Sequence, residues 1–362
     1  MRLQKRHVMK FESFTVPQPG CVTQVAEGIF WLRMPLPFAL DHINLYLLED
    51  EQGWYIVDCG LATSETRQHW QSVLSTLDKP VLGVIATHMH PDHIGLAGWL
   101  TEQHQVPLYM SQTEYFAARA LFAGRAGASA WRDEQYFVRC GLATDAVTKA
   151  VGDGKGFSRI VSPLPVAYER LTEGQVLTIN NNRWTVMIGR GHSPEHVCLY
   201  CQERHILVAG DHILPSITPN IGVYSTEPDG NPLADYLDTL LPFMELPSDT
   251  LVLPAHNQPF TGVRARVQAL RGHHQQQLKT LYDVCRIPMR VTDCLPALFN
   301  RQLDSHLLHF AIAECLSHLN YLCAEGQLVR TLSEEGVYIY CQSPASETEQ
   351  NDSVLSFDMV NG

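Results

Sequence analysis

Short apolar runs alternate with amphipathic stretches along most of this chain, and many of the runs end on a polar residue. Residues 22–32, 43–49 and 54–58 read as strands of one sheet, and 81–86 as a further buried strand. Pro91 suits the first turn of a helix that runs on through Ile94, Leu96 and Leu100. The period then changes: 111–150 carries Tyr115, Phe116, Leu121, Phe122, Trp131, Tyr136 and Phe137 at helical spacing, which predicts helices inserted between strands. Apolar strand runs return at 184–188, 196–201, 207–210 and 251–255, with a loop at 215–232 and a helix over 234–245.

Beyond residue 256 the pattern is helical. A long helix reaches Cys285, further helices are expected over 292–299 and 305–324, and 328–331 with 337–341 should form a hairpin about Glu334-Glu335-Gly336. Helix, helix, hairpin is the winged-helix order.

Composition narrows the class. A chain of 362 residues, 45% of them hydrophobic, has room for one large domain and a small second one. No apolar run reaches the roughly 18 residues of a membrane span. The basic start Met1 to Lys10 is not followed by an apolar segment, so no signal peptide is expected. Ten cysteines in a chain this long predict free thiols and a cytoplasmic location. Cys198 and Cys201 have zinc-knuckle spacing, yet on a strand their sulfurs face opposite ways, so both are read as core. The net charge of −12 repels nucleic acid unless basic residues gather locally. They do so at Arg264, Arg266, Arg271 and Lys279, with His273 and His274, which reads as a solvated helix face before a docking surface for a substrate's phosphate or carboxylate.

The chemistry is concentrated at residues 87–93, Thr-His-Met-His-Pro-Asp-His. Imidazoles and a carboxylate packed this densely after a buried strand point to a metal. Side chains two apart on an extended backbone point the same way, so His88 and His90 can grip one ion. Asp92 and His93, at the start of the following helix, can serve another. Each of the other strand runs ends on a ligand-type residue: Asp58 after 56–57, His192 after 184–188, Asp211 after 207–210 and His256 after 251–255.

In type, order and spacing these five segments resemble the metallo-β-lactamase superfamily over roughly residues 20 to 260. The resemblance implies an α+β fold, a four-layer αβ/βα sandwich, with the metal site at the edge between its sheets. It implies that His88, His90 and His192 hold one ion, that Asp92, His93 and His256 hold a second, and that Asp211 bridges them. Asp58 would orient a ligand from behind, and Asp92 is a candidate proton shuttle. With the C-terminal pattern, the chain is similar to the branch of lactamase-β-like and glyoxalase II-like proteins. The expected division is an N-terminal extension at 1–21 and a catalytic domain at 22–262 with a helical insert about 111–160. A helical linker and winged-helix-like domain at 263–342 and a disordered tail at 343–362 complete it. The insert should be a lid, a pocket wall or the surface of a homodimer.

From mixed imidazole and carboxylate donors, zinc is expected, two ions per chain, with iron or manganese as alternatives. Such a pair about 3.5–4 Å apart makes hydroxide available at neutral pH and polarises the bond under attack. The expected reaction is hydrolysis of a small acyl substrate, a thioester, ester or lactone. A metal-dependent endoribonuclease on single-stranded RNA and a mononuclear-iron persulfide dioxygenase are the alternatives. Residues 302–329 contain no Lys or Arg, which disfavours nucleic acid. Departures narrow the relatives: β-lactamase branches often have cysteine where Asp211 stands, and diiron oxygen-reducing relatives have glutamate where His90 stands. Lactonases carry a tyrosine where Leu214 stands, a place Tyr224 could take only if 215–225 folds back. Asn257 follows His256 where glycine is usual.

Overall fold

The computed structural model describes residues 8–38, 40–124, 128–300 and 305–344; the tail expected from 343 therefore lies almost wholly outside the described residues. Two seven-stranded sheets form the centre. In the first, the strands lie side by side in chain order: Val22–Ala26, Ile29–Pro35, His42–Glu49, Trp54–Val57, Val81–Ile85, Leu108–Ser111 and Glu169–Leu171. In the second, Lys10–Phe11 is at one edge, followed by Phe260–Thr261, Leu251–Pro254, Ile206–Gly210, His196–Cys201, Asn182–Gly189 and Val176–Ile179.

The layers follow from which way the strand residues point. Trp31, Tyr46, Val57, Trp184, Val197 and Leu253 fill the space between the sheets. The outer face of the first sheet packs Leu45, Leu47 and Ile56 against Trp70, Val73 and Leu100 of the helices Ser64–Leu74 and Ala97–His104. Cys198, Leu207 and Val252 of the second sheet face Leu237, Val267 and Leu270 of Pro232–Thr239 and Val263–Val284. Helix, sheet, sheet, helix is the expected four-layer α+β sandwich. Each fully buried aliphatic side chain in these layers stabilises the fold by about 1.5–3 kcal/mol. Cys198 and Cys201 lie in different clusters on opposite sides of their sheet, as the strand period requires.

Four elements differ from the sequence reading. The helix expected over 234–245 is Pro232–Thr239 followed by a separate 3-10 helix, Leu241–Glu245. Residues 22–32 are not one strand but a hairpin, turning at Glu27-Gly28 with Ala26 paired to Ile29. Gly28 has φ +67, a left-handed backbone that glycine adopts without steric cost. The helix from Pro91 stops at Ile94 and restarts as Ala97–His104. There the Leu96 N–H goes to the Gly60 carbonyl and the Gly95 carbonyl accepts from Ser162, so the backbone at the break is tied to neighbouring loops. Within the segment 1–21, read as an extension, Lys10–Phe11 pairs antiparallel with Phe260–Thr261 as an edge strand.

The insert between Leu108–Ser111 and Glu169–Leu171 forms the helices Gln112–Ala123, Trp131–Arg139, Thr144–Val151 and Gly156–Ile160. The C-terminal part forms Val291–Leu298, Ser305–Ala324 and the hairpin Leu328–Leu332 with Tyr338–Gln342. The insert is shared between the layers: Tyr115 and Ala118 pack with the first sheet, whereas Tyr136 and Phe137 join Ile312, Leu316 and Tyr340 in the cluster of the second sheet. Every residue from 311 to 320 is buried, so the middle of Ser305–Ala324 is enclosed on all sides. The Tyr136 hydroxyl donates to the buried Val223 carbonyl at 2.7 Å. Tyr136→Phe should therefore lower the unfolding free energy by about 1–3 kcal/mol, read as a lower urea midpoint at unchanged slope.

Candidate metal centre

Strand order brings the polar ends together. Trp54–Val57 runs parallel to Val81–Ile85, which sets Asp58 beside Thr87 and His88. Ile206–Gly210 runs parallel to Leu251–Pro254, which sets Asp211 beside His256, with the Ala255 N–H on the Gly210 carbonyl at 3.0 Å. The sheets are joined at this rim by Asn44 N–H to Ala255 O, 2.6 Å, and Val197 N–H to Thr87 O, 2.8 Å. Gly210 turns the chain at φ +48, and a Cβ there would lie 2.5 Å from the His196 ring. Only glycine lets Asp211 leave its strand so close to that imidazole.

Two groups of donor atoms result. His88, His90, His192 and Asp211 form one, and Asp92, His93 and His256 the other, each with atoms within 4.8 Å of one another. Asp211 reaches both: Oδ2 is 3.3 Å from His192 Nε2 and 3.5 Å from His93 Nε2, and Oδ1 is 3.4 Å from His256 Nε2. Asp92 Oδ2 lies 3.6 Å from His256 Nε2 and 3.8 Å from His93 Nε2. His88 Nε2 and His90 Nδ1 are 2.8 Å apart. Donors about 2.0–2.2 Å from one tetrahedral ion are themselves roughly 3.3–3.6 Å apart, so the separations of Asp211 from His192, His93 and His256, and of Asp92 from His256, fit metal ligation better than direct hydrogen bonds, whereas His88 and His90 stand at hydrogen-bond distance. His93 Nε2, His192 Nε2 and Asp211 Oδ1 are buried without any hydrogen-bond partner. Such orphans are costly unless something binds them, and a divalent cation at each donor group would satisfy all three.

Outer partners fix which nitrogen each ring offers. His192 Nδ1 is 2.8 Å from the Asn220 carbonyl, and His256 Nδ1 is 2.8 Å from the His42 carbonyl. A carbonyl only accepts, so each Nδ1 carries the proton and Nε2 points its lone pair inward. His93 Nδ1 faces Asp58 Oδ2 at 2.8 Å. That carboxylate also accepts from the Thr87 N–H at 2.8 Å and the Thr87 hydroxyl at 2.9 Å. Asp58 itself has φ 60, a left-handed backbone that orients its carboxylate under the ligand loop.

Charge follows the same arrangement. Burial, then His93, holds the His88 ring well below its ordinary pKa, and burial, then His192, does the same for His90. Neutral imidazole is the form that binds a metal. At His93 burial is outweighed by Asp58, Asp211 and Asp92, and at His256 by Asp211 and Asp92, so both are raised. Burial would raise Asp211, but His256 and His93 hold it well below the carboxylate range.

Every residue singled out as a ligand from the sequence lies in this cluster, and Asp58 sits directly behind it. Several partners had no signal in the sequence. His196 Nε2 accepts the Asp211 N–H at 3.0 Å, and its ring stacks on His88 with centroids 4.8 Å apart. Glu114, wholly buried at the start of Gln112–Ala123, accepts the Met89 N–H at 2.9 Å and the Glu195 N–H at 2.7 Å, clamping the loops that carry His88, His90 and His192. His42 and Asn44 are structural at the rim: Asn44 donates to the Pro254 and Asn257 carbonyls, and His42 accepts the Asn257 N–H. Asn257 takes φ 69, the conformation glycine would supply and asparagine tolerates. In the basic cluster, Arg266 holds the Leu214 and Ile217 carbonyls, Arg271 holds that of Leu237, and His274 is buried against His318.

A family model described as Metallo-beta-lactamase superfamily matches residues 39–256, and one described as Metallo-beta-lactamase-like, C-terminal domain, matches 278–343. A Bacillus subtilis (strain 168) protein named a probable metallo-hydrolase, YqjP, is 22% identical over 334 residues, covering 86% of this chain and 97% of its own. The acyl-coenzyme A thioesterase MBLAC2 of Gallus gallus is 27% identical over 250 residues, 66% of this chain and 81% of that one. Among solved structures, a beta-lactamase domain protein from Burkholderia ambifaria superposes with TM-score 0.86 at 41% identity, over 92% of this chain and 98% of the other.

Proposed function

Because the chain belongs to the metallo-beta-lactamase superfamily and is a metallo-hydrolase, we propose that it cleaves small acyl substrates, thioesters first, at a two-zinc centre. In this reading His88, His90 and His192 hold one ion, Asp92, His93 and His256 the other, and Asp211 bridges. The observation that carries it is the position of Asp211, whose oxygens face His192 of one donor group at 3.3 Å and His93 and His256 of the other at 3.5 and 3.4 Å. Two divalent cations bound there would bring the pKa of a shared water toward neutrality and polarise the substrate carbonyl.

The chain's own residues do the rest. Asp58 and Thr87 keep His93 and His88 in register. The Asp92 side chain is 20% exposed against 9% for Asp211, so Asp92 Oδ2 is the carboxylate placed to pass a proton to solvent. Zinc is the first choice for mixed imidazole and carboxylate donors, a set that iron or manganese can also take.

The thioester assignment draws on the relatives named as acyl-coenzyme A thioesterases. Small molecules are favoured over RNA because residues 311–320, in the would-be recognition helix, are buried, and 302–329 lack Lys and Arg. Among the described residues no helix is long and apolar enough to cross a membrane. All ten cysteines are free, in keeping with a reducing cytoplasm.

Metal analysis joined to a panel of acyl-coenzyme A thioesters, esters, lactones and single-stranded RNA tests the reading. We expect two zinc ions per chain and thioester hydrolysis that stops on chelation. One iron per chain would turn the reading toward a dioxygenase. No turnover of any thioester, ester or lactone by zinc-loaded protein would overturn it.

A further inference from the structure

We propose that Asn220 is a positioning residue through which the C-terminal helix Ser305–Ala324 sets the orientation of His192. This rests on the metal-centre reading above and extends it to a residue outside the ligand segments. The Asn220 carbonyl holds the Nδ1–H of His192 at 2.8 Å and so fixes both the tautomer and the tilt of that ring.

The Asn220 side chain is itself held from the C-terminal side. Its Nδ2 donates to Glu314 Oε2 at 3.2 Å and lies 3.4 Å from the Phe310 carbonyl, both on Ser305–Ala324. Its Oδ1 accepts from the Tyr224 hydroxyl at 3.0 Å. Tyr224 thus comes near the centre as the sequence reading required, but its hydroxyl braces Asn220.

The segment around Asn220 has no regular secondary structure; the insert holds it through Tyr136 to the Val223 carbonyl and Ser225 to Asp133, and its other fixed points lie on the C-terminal part. The Val223 N–H donates to the Ala313 carbonyl at 3.0 Å. Asn320 Nδ2 donates to the Pro228 and Gly230 carbonyls at 3.1 and 2.9 Å, and Arg330 pairs with Asp229 at 2.8 Å. His256, by contrast, takes its outer partner, the His42 carbonyl, from within the sandwich. Among the described residues, His192 and His256 therefore take their outer partners from different parts of the chain, and that of His192 is tied to the C-terminal helix.

Cobalt(II) titration of the metal-free full chain, followed by visible absorption, tests this with the metal alone. Asn220→Ala should weaken cobalt binding by the His192 group about 10–100-fold and alter its absorption bands. Tyr224→Phe, which removes a single hydroxyl, should weaken it about three- to tenfold. A merely structural role would lower the melting temperature of the metal-free variants and leave cobalt affinity and spectrum as in the parent. That result in Tyr224→Phe, or in a folded Asn220→Ala, overturns the proposal. His192→Ala separates the two levels: if it binds cobalt like the parent, the metal-centre reading itself is wrong. If only His192→Ala loses binding, the centre stands and the role of Asn220 falls.

Discussion

Asp211→Ala should lower kcat/KM by about 10³-fold or more, and metal content should fall below two ions per chain. Asp211 is the only residue in the cluster with oxygens toward both donor groups. Its removal deprives His192, His93 and His256 of the negative charge they share, and a cation at either position loses a ligand. Several kcal/mol of charge stabilisation at the reacting carbonyl goes with it, and each 1.36 kcal/mol is about tenfold in rate. The fold should persist, because the Ala255 N–H to Gly210 carbonyl bond and the strand ladder need only backbone at this site. Elemental analysis, circular dichroism and thioester turnover on one preparation decide the matter. A variant that keeps two metals and parental activity would remove Asp211 from the mechanism.

Asp58→Ala should weaken metal binding at the Asp92, His93 and His256 group about 10–100-fold without touching a ligand. Its carboxylate is the acceptor for His93 Nδ1 and for the N–H and hydroxyl of Thr87. Alanine leaves buried donors facing nothing, at a cost of about 1–3 kcal/mol of stability. Alanine is also less at ease than aspartate at φ 60. The pattern to look for is a metal titration that saturates normally for one ion and late for the other. Equal affinity at both sites, with unchanged unfolding, would leave Asp58 without a role.

How much of this was legible in the sequence depends on range. Residues 87–93 declare themselves because their donors are adjacent and the strand period places them. His192, Asp211 and His256 were legible as strand ends, and the family resemblance gave their order. Their outer partners were not. Glu114 is one acidic residue in the first turn of a helix, where acids are common, and only the fold brings Met89 and Glu195 to it. His196 opens an apolar strand four residues after His192, and nothing local separates it from a core histidine. Asn220 lies in a loop with no periodicity, and its bond to His192 uses a carbonyl that every residue possesses. The hairpin at Gly28 was hidden inside what looked like one strand run, because Thr23-Gln24 interrupts the apolar residues as Glu27-Gly28 does.

The order of strands has a bearing on how the protein comes into being. Neighbours in the first sheet are neighbours in the chain, so that half can be laid down progressively as the ribosome delivers it. The second sheet cannot finish so early, since its edge at Lys10–Phe11 waits for Phe260–Thr261. His192 and Asp211 close one donor group and His256 the other, long after His88 to His93 have left the exit tunnel. A nascent chain thus carries an unfinished chelate from residue 93 to residue 256, nearly half of its synthesis, and both donor groups are complete only once His256 has been added.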